Sequence, residues 1–232
     1  MAVGKRNFEV LKVQTVLFDM DGVLYDSMPS HAVAWQQSMA QFGLVMTAED
    51  AYATEGARGV DTIRAMVRAQ KNQEISLDEA QRMYDEKARI FHDLPPTGIF
   101  DGVFDLMQFL KDRNCAIGIV TGSAQRPLIA RMLADFADFV DESRVVTAYD
   151  VERGKPAPDP YLMGMKKCGC TDATRCVVVE NAPLGVEAAV AAGCRTMAVN
   201  TGPLADEVLS EKGAERVFKT LRELYDFLVQ ST

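Results

Sequence analysis

Four short apolar runs constrain this chain most: Val13 to Phe18, Ala116 to Val120, Val177 to Val179 and Thr196 to Val199. Each is nearly continuous rather than alternating, as a strand reads when both of its faces are covered. Between them lie amphipathic segments, Val103 to Leu110, Pro127 to Leu133 and Pro183 to Ala192, each preceded by Gly, Pro or small polar residues. Alternation of this kind predicts an α/β fold, a doubly wound parallel sheet with helices on both faces. Val145 to Thr147 adds a further short strand, and Leu221 to Val229 reads as a closing helix.

Residues 29–94 break the alternation. They carry helical periodicity at Ala32 to Phe42, Val60 to Gln70 and Leu77 to Phe91, with no strand pattern, and return to the core through Leu94-Pro95-Pro96-Thr97-Gly98, which cannot continue a helix. The expectation is a Rossmann-like catalytic core of residues 1–28 and 95–232, with a helical-bundle cap, residues 29–94, inserted after the first strand. At 232 residues and 48% apolar composition the chain can bury such a core. A net charge of -8 argues against nucleic acid as partner, because phosphate backbones are held by dense Lys and Arg surfaces. Five cysteines without CxxC spacing read as reduced thiols, and zinc at Cys168-Gly169-Cys170 would need further ligands in a chain with two His. With no leader pattern and no apolar run long enough for a bilayer, the expectation is a soluble cytoplasmic protein with no membrane partner. Its oligomeric state is open, and a monomer is compatible with this reading.

Ligands of open α/β sheets sit outside the carboxyl ends of the strands, so the residues just after each strand carry the chemistry. These are Asp19-Met20-Asp21-Gly22, Thr121-Gly122-Ser123, Gly154-Lys155-Pro156 after the Val145 strand, and Glu180-Asn181. Two carboxylates as close as Asp19 and Asp21 raise each other's pKa unless a cation lies between them. Mg²⁺ resolves the conflict, since it takes oxygen ligands and works with carboxylates and substrate phosphate. Asn181 can add a carbonyl oxygen, and Glu180 can ligate directly or hold a metal-bound water. Lys155 balances charge on a transferring phosphoryl group, while Thr121, Ser123 and the backbone amides of Gly122 and Ser123 cradle its oxygens.

LFDMDGVLYDS (17–27), VTGS (120–123), GKPAPDPY (154–161) and VVVENAPLGVEAA (177–189) resemble the four motifs of the haloacid dehalogenase superfamily in order and spacing. The resemblance implies that Asp19 attacks phosphorus to form an aspartyl phosphate, and that Asp21 protonates the leaving oxygen and then activates water. A helical insert after the first motif is similar to the cap of the β-phosphoglucomutase-like subfamily. His31 and Trp35 fall where mutase-like members place a His and a Trp. His31 reads either as an acid/base participant in the closed state or as a hydrogen-bonded helix residue near a hinge.

Mutases of that subfamily place basic residues on both sides of a cap loop to hold a second phosphate, whereas the matching positions here are Glu55 and Gly59, with Arg58 as a displaced source of positive charge. The relatives' Glu-Asp is Glu180-Asn181 here. Loss of that carboxylate suggests that Glu55 descends from the cap as a replacement metal ligand; the alternative is an exposed helix-end carboxylate. Glu55 together with ENAPLGVEA and VNTGPL (199–204) resembles the subfamily's pyrophosphatase branch. The reading is therefore a Mg²⁺-dependent phosphohydrolase acting on pyrophosphate or a small phosphate ester, with a β-phosphoglucomutase-type mutase and a catalytically silent binding domain as alternatives. Gln125 and Arg126 could touch a bound anion or simply start a solvent-facing helix. Asp159 orients the Lys155 loop or caps a helix, and Met39, Met66, Met83 and Met107 fill helix cores.

Overall fold

The computed structural model describes residues 12–231. Strands β1 (Thr15–Phe18), β2 (Ala116–Val120), β3 (Val145–Val146), β4 (Cys176–Glu180), β5 (Arg195–Val199) and β6 (Arg216–Phe218) form one parallel sheet in the order β3-β2-β1-β4-β5-β6. This is the doubly wound order that the sequence predicts. The chain winds outward in both directions from β1, so the carboxyl ends of β1, β2 and β4 meet at the switch point where such sheets bind ligands.

Covered faces explain the unbroken apolar runs. Val16 and Phe18 pack with Ile117, Ile119, Val177 and Val179 beneath α5 (Val103–Asp112), α6 (Arg126–Asp135) and α10 (Leu221–Gln230). On the opposite face Leu17, Val120 and Val178 pack against Tyr161 and Met165 of α7 (Asp159–Lys167) and Ala188 and Ala189 of α8 (Pro183–Ala191). Phe18 pairs in register with Ile119 on one side and Val179 on the other, which sets Asp19 level with the ends of both neighbouring strands.

Between β1 and α5 lie α1 (Met28–Gln41), α2 (Ala48–Ala53), α3 (Gly59–Lys71) and α4 (Leu77–Asp93). They share an apolar cluster apart from those of the sheet, with Trp35, Met39, Ile63, Met83 and Tyr84 inside it. Leu94, in extended conformation before Pro95, ends α4 as the double proline requires. The turn after α6 buries Phe136 and Val140. Three elements escape the sequence pattern: β6, a half-exposed edge of three residues; α2; and α9 (Asp206–Glu211), whose Leu209 packs on Val186 and Ala198. Each is too short to display a period. Among the described residues no helix is long and apolar enough to cross a membrane.

Candidate active site

Asp19 follows β1 directly and is 3% exposed. Its Oδ1 accepts a hydrogen bond from Lys155 Nζ at 2.5 Å, and the same ammonium donates to Glu180 Oε1 at 2.6 Å and the Val120 carbonyl at 3.2 Å. All three ammonium protons thus have acceptors. Glu180 is also saturated. Its Oε1 takes the Tyr161 hydroxyl at 2.5 Å, and Oε2 takes the backbone N–H groups of Asn181 and Ala182, at the start of α8. The sequence leaves Glu180 as a direct metal ligand or the holder of a metal-bound water; in this structure both oxygens are engaged at 0% exposure, and it positions Lys155. Burial works to lower the Lys155 pKa, but two carboxylates outweigh it and the ammonium is held charged. For Asp19, burial and the Glu180 charge outweigh Lys155 and push the carboxyl up to about 8.

Burial is the larger cause, and the carboxyls gathered around Asp19 add to it. Glu55, in the turn between α2 and α3, accepts from Asn181 Nδ2 at 2.9 Å through Oε2, while Glu55 Oε1 and Asn181 Oδ1 are buried with no hydrogen-bond partner. Burial, then the Asp19 charge, raise the Glu55 pKa well above the carboxylate range. The carboxyls of Asp19, Asp21, Glu55 and Glu180 outnumber the two buried ammonium groups, Lys155 and Lys87, so without a cation the excess is relieved by protonation, in line with the raised pKa values of Asp19 and Glu55. Unpaired buried acceptors beside excess negative charge are the donor set of a hard divalent cation. Among the described residues no three acidic, His or Cys side chains are already gathered as a metal cluster; the fit rests on the mixed set of carboxylates and amide. Gly22 allows this approach. It has φ +80°, and a Cβ there would lie 2.0 Å from Asn181 Nδ2.

Asp21 points to the other side. Its Oδ1 accepts from Ser27 Oγ at 2.6 Å and from His31 Nε2 at 3.0 Å, and His31 Nδ1 lies 2.6 Å from Lys87 Nζ. Because an ammonium only donates, Nδ1 must accept and Nε2 must carry the proton. Burial would raise the Asp21 pKa, but His31, Ser27 and Lys87 outweigh it and hold the carboxyl below its usual range. Lys87 is 2% exposed, ringed by Trp35, Tyr84 and Phe91, and burial brings it down to about 8. Of the two readings of His31, neither excludes the other: it is a hydrogen-bonded helix residue that joins Asp21 to a buried amine.

Thr121 and Ser123 line a chamber of about 60 Å³ together with Asp19, Asp21, Glu55 and Gly122. The Ser123 N–H is not free for an anion, because it donates to Thr121 Oγ1 at 3.0 Å. Gln125 reaches the chamber wall. Arg58 does not line it: its guanidinium is held by Asp61 at 2.7 and 3.2 Å and its stem lies over Gly154, so in this structure it is turned from the expected anion contact. Arg153 and Asp159 form an ion pair that brackets the Lys155 turn.

The segment 52–58 fits into core loops at glycines. A Cβ on Gly122 would meet the Gly56 carbonyl at 2.5 Å, one on Gly154 the Arg58 stem at 2.7 Å, and one on Gly202 the Tyr52 ring at 2.8 Å. Thr201 Oγ1 ties the Gly202 loop to the Gly22 carbonyl at 2.6 Å.

Sequence reasoning missed Lys87, Tyr84, Ser27 and Tyr161. Lys87 had a signal, since Ala80, Met83, Tyr84, Ile90 and Phe91 make one helical stripe on which a lysine is out of place. Tyr161 ends the GKPAPDPY segment and sits at 0% exposure against Glu180.

The model of the haloacid dehalogenase-like hydrolases matches residues 13–193. Hexitol phosphatase A of Escherichia coli is 32% identical over 192 residues, covering 82% of this chain and 84% of that protein. Pyrophosphatase PpaX of Oceanobacillus iheyensis is 28% identical over 160 residues, 68% of this chain and 71% of its own. A solved structure of a candidate β-phosphoglucomutase from Bacteroides vulgatus superposes with TM-score 0.89 at 38% identity, covering 97% of this chain and 92% of that one. Its parallel six-stranded core, the carboxylates at the strand ends and the matched motifs place the chain in one family: it belongs to the haloacid dehalogenase-like hydrolases.

Proposed function

We propose that this protein is a Mg²⁺-dependent phosphohydrolase whose Asp19 attacks phosphorus, with inorganic pyrophosphate as its leading substrate and small phosphate esters behind it. The observation that carries the reading is the pair of partnerless buried oxygens, Glu55 Oε1 and Asn181 Oδ1, beside a lysine-bridged Asp19. Asp19, Asn181 and Glu55 would hold the cation, with Asp21 nearby. When bound, it neutralises phosphoryl oxygens and orients them.

The residues of the chain divide the remaining work. Lys155, fixed by Glu180 and Tyr161, offsets part of the rise that burial and Glu180 impose on the Asp19 carboxyl and directs its oxygen, and a bound cation would favour the ionised form further. An Asp19 oxygen bonds to phosphorus as the bond to the leaving oxygen breaks, giving an aspartyl phosphate. Asp21, supplied through His31 from Lys87, delivers a proton to the leaving oxygen. It then takes one from the water that cleaves the acyl phosphate. Thr121 and Ser123 hold the phosphoryl oxygens from below.

Residues 29–94 act as a cap that completes the site through Glu55 and excludes water. A chamber of about 60 Å³ favours a compact anion over a hexose phosphate, and the similarity to Pyrophosphatase PpaX points the same way. Five free thiols suit the cytoplasm.

Phosphate release from pyrophosphate, p-nitrophenyl phosphate and hexose phosphates, with Mg²⁺ and with EDTA, tests the proposal. Mg²⁺-dependent release that is fastest on pyrophosphate and lost in Asp19→Asn is expected. Isomerisation of a hexose phosphate primed by its bisphosphate would replace the reading with a mutase, and turnover undiminished in Asp19→Asn would end it.

A further inference from the structure

A second and much larger hollow adjoins the reaction chamber. It is an outer cleft of about 580 Å³ beside the Leu94 to Thr97 linker, walled by α4 on one side and by the start of α6 on the other. Tyr84 and Gln125 line both spaces, and no other described residue does. Tyr84, on α4, packs with Ala124 and lines this wall together with Gln125, so a side chain of the cap meets the phosphate loop of the core here. The ring is fixed on its other side by Gly59, where a Cβ would come within 2.2 Å of it, and it is 7% exposed.

The outer cleft has what an organic group would need. Phe91, Leu94, Pro127 and Leu128 offer apolar surface, and Tyr149 stacks beside the Arg126 guanidinium at 5.5 Å. Arg126 forms no ion pair among the described residues. A substrate with its phosphoryl group at Asp19 and a ring or polyol in this cleft would have to cross the wall that Tyr84 and Gln125 share.

We infer that Tyr84 and Gln125 are a specificity-determining partition: they confine the chamber to compact anions, and removing them joins it to the outer cleft, which then accepts the aryl or sugar part of a phosphate ester. The inference rests on the phosphohydrolase reading above. It concerns a ratio between substrates, so it stands or falls separately from which substrate the unaltered protein prefers.

The test compares kcat/KM for p-nitrophenyl phosphate and for pyrophosphate in the unaltered protein, Tyr84→Ala, Tyr84→Phe and Gln125→Gly. The ester-to-pyrophosphate ratio should rise roughly tenfold or more in Tyr84→Ala, the scale on which a shaped pocket discriminates between substrates of different bulk. Gln125→Gly should move it the same way by less, and Tyr84→Phe, which keeps the ring, should leave it within about twofold. Calorimetric binding of phenylphosphonate against orthophosphate gives a readout independent of turnover: only the former should tighten in Tyr84→Ala. A ratio and a phenylphosphonate affinity that stay unchanged in both Tyr84→Ala and Gln125→Gly would overturn the inference. So would an equal shift with Tyr84→Phe, which would assign the effect to the phenol rather than to the barrier. If Tyr84→Ala fails to fold, Gln125→Gly, at a half-exposed loop position, decides alone. Pyrophosphate turning out to be a poor substrate of the unaltered protein would refute the proposed function and leave this comparison intact.

Discussion

Replacing Lys87 by methionine should raise stability while lowering activity. The ammonium is enclosed by Trp35, Tyr84 and Phe91 and brought from 10.5 down to about 8 by burial. That depression corresponds to about 3 kcal/mol at 1.36 kcal/mol per unit. The sign follows from linkage. Between pH 8 and 10.5 the unfolded chain binds a proton at Lys87 that the folded chain has released, so this residue adds stability as pH rises through the window and withholds it below. Methionine fills similar volume without the charge. The stability difference between Lys87→Met and the unaltered protein should therefore favour the variant most at pH 7 and shrink by about 3 kcal/mol by pH 10.5. Urea unfolding at pH 7, 8, 9 and 10 followed by circular dichroism measures it, and phosphate release should fall because His31 Nδ1 loses its donor. A difference that is flat across pH would refute the argument that the cost of burial dominates at this amine.

Three further outcomes follow from the site. In EDTA, Asp19 is held near 8 against 3.8 in the unfolded chain, so the folded state binds the extra proton; stability should decline as pH rises from 4 to 8, and Mg²⁺ should flatten that slope in thermal melts. Gly22→Ala must adopt φ +80° and place its Cβ 2.0 Å from Asn181, so it should lose about 1–2 kcal/mol in unfolding experiments and weaken Mg²⁺ binding in titration calorimetry. Glu180→Gln sets an amide N–H against the Asn181 and Ala182 N–H donors or against Lys155; it should lose about 1–3 kcal/mol and lower kcat more than it raises KM, because Lys155 loses a partner that directs it.

The sheet was legible because strands covered on both faces must be apolar throughout, and the rim residues followed from where strands end. Residues 29–94 stood out for lacking such runs. What was not legible depends on three-dimensional approach. That Glu180 uses both oxygens on Lys155, Tyr161 and two N–H groups is invisible in the Glu180-Asn181 pair, where either residue could face a metal. Arg58 reads as available in the sequence, yet Asp61, one helical turn on, holds it. Lys87 could have been found by placing α4 on a helical wheel, but its link to His31 spans 56 positions and required the packing of α1 on α4. The short elements β6 and α9 carry no period at all.

The seating of segment 52–58 against Gly122, Gly154 and Gly202 has a consequence for inheritance. Each contact has backbone, stem or ring on one side and a missing methyl on the other. Alanine at any of these core positions would therefore push on the roof even where it left the floor untouched. A chimera that grafts the roof of one relative onto the floor of another should work only when the receiving loops carry matching glycines, which ties the history of two distant stretches of chain together.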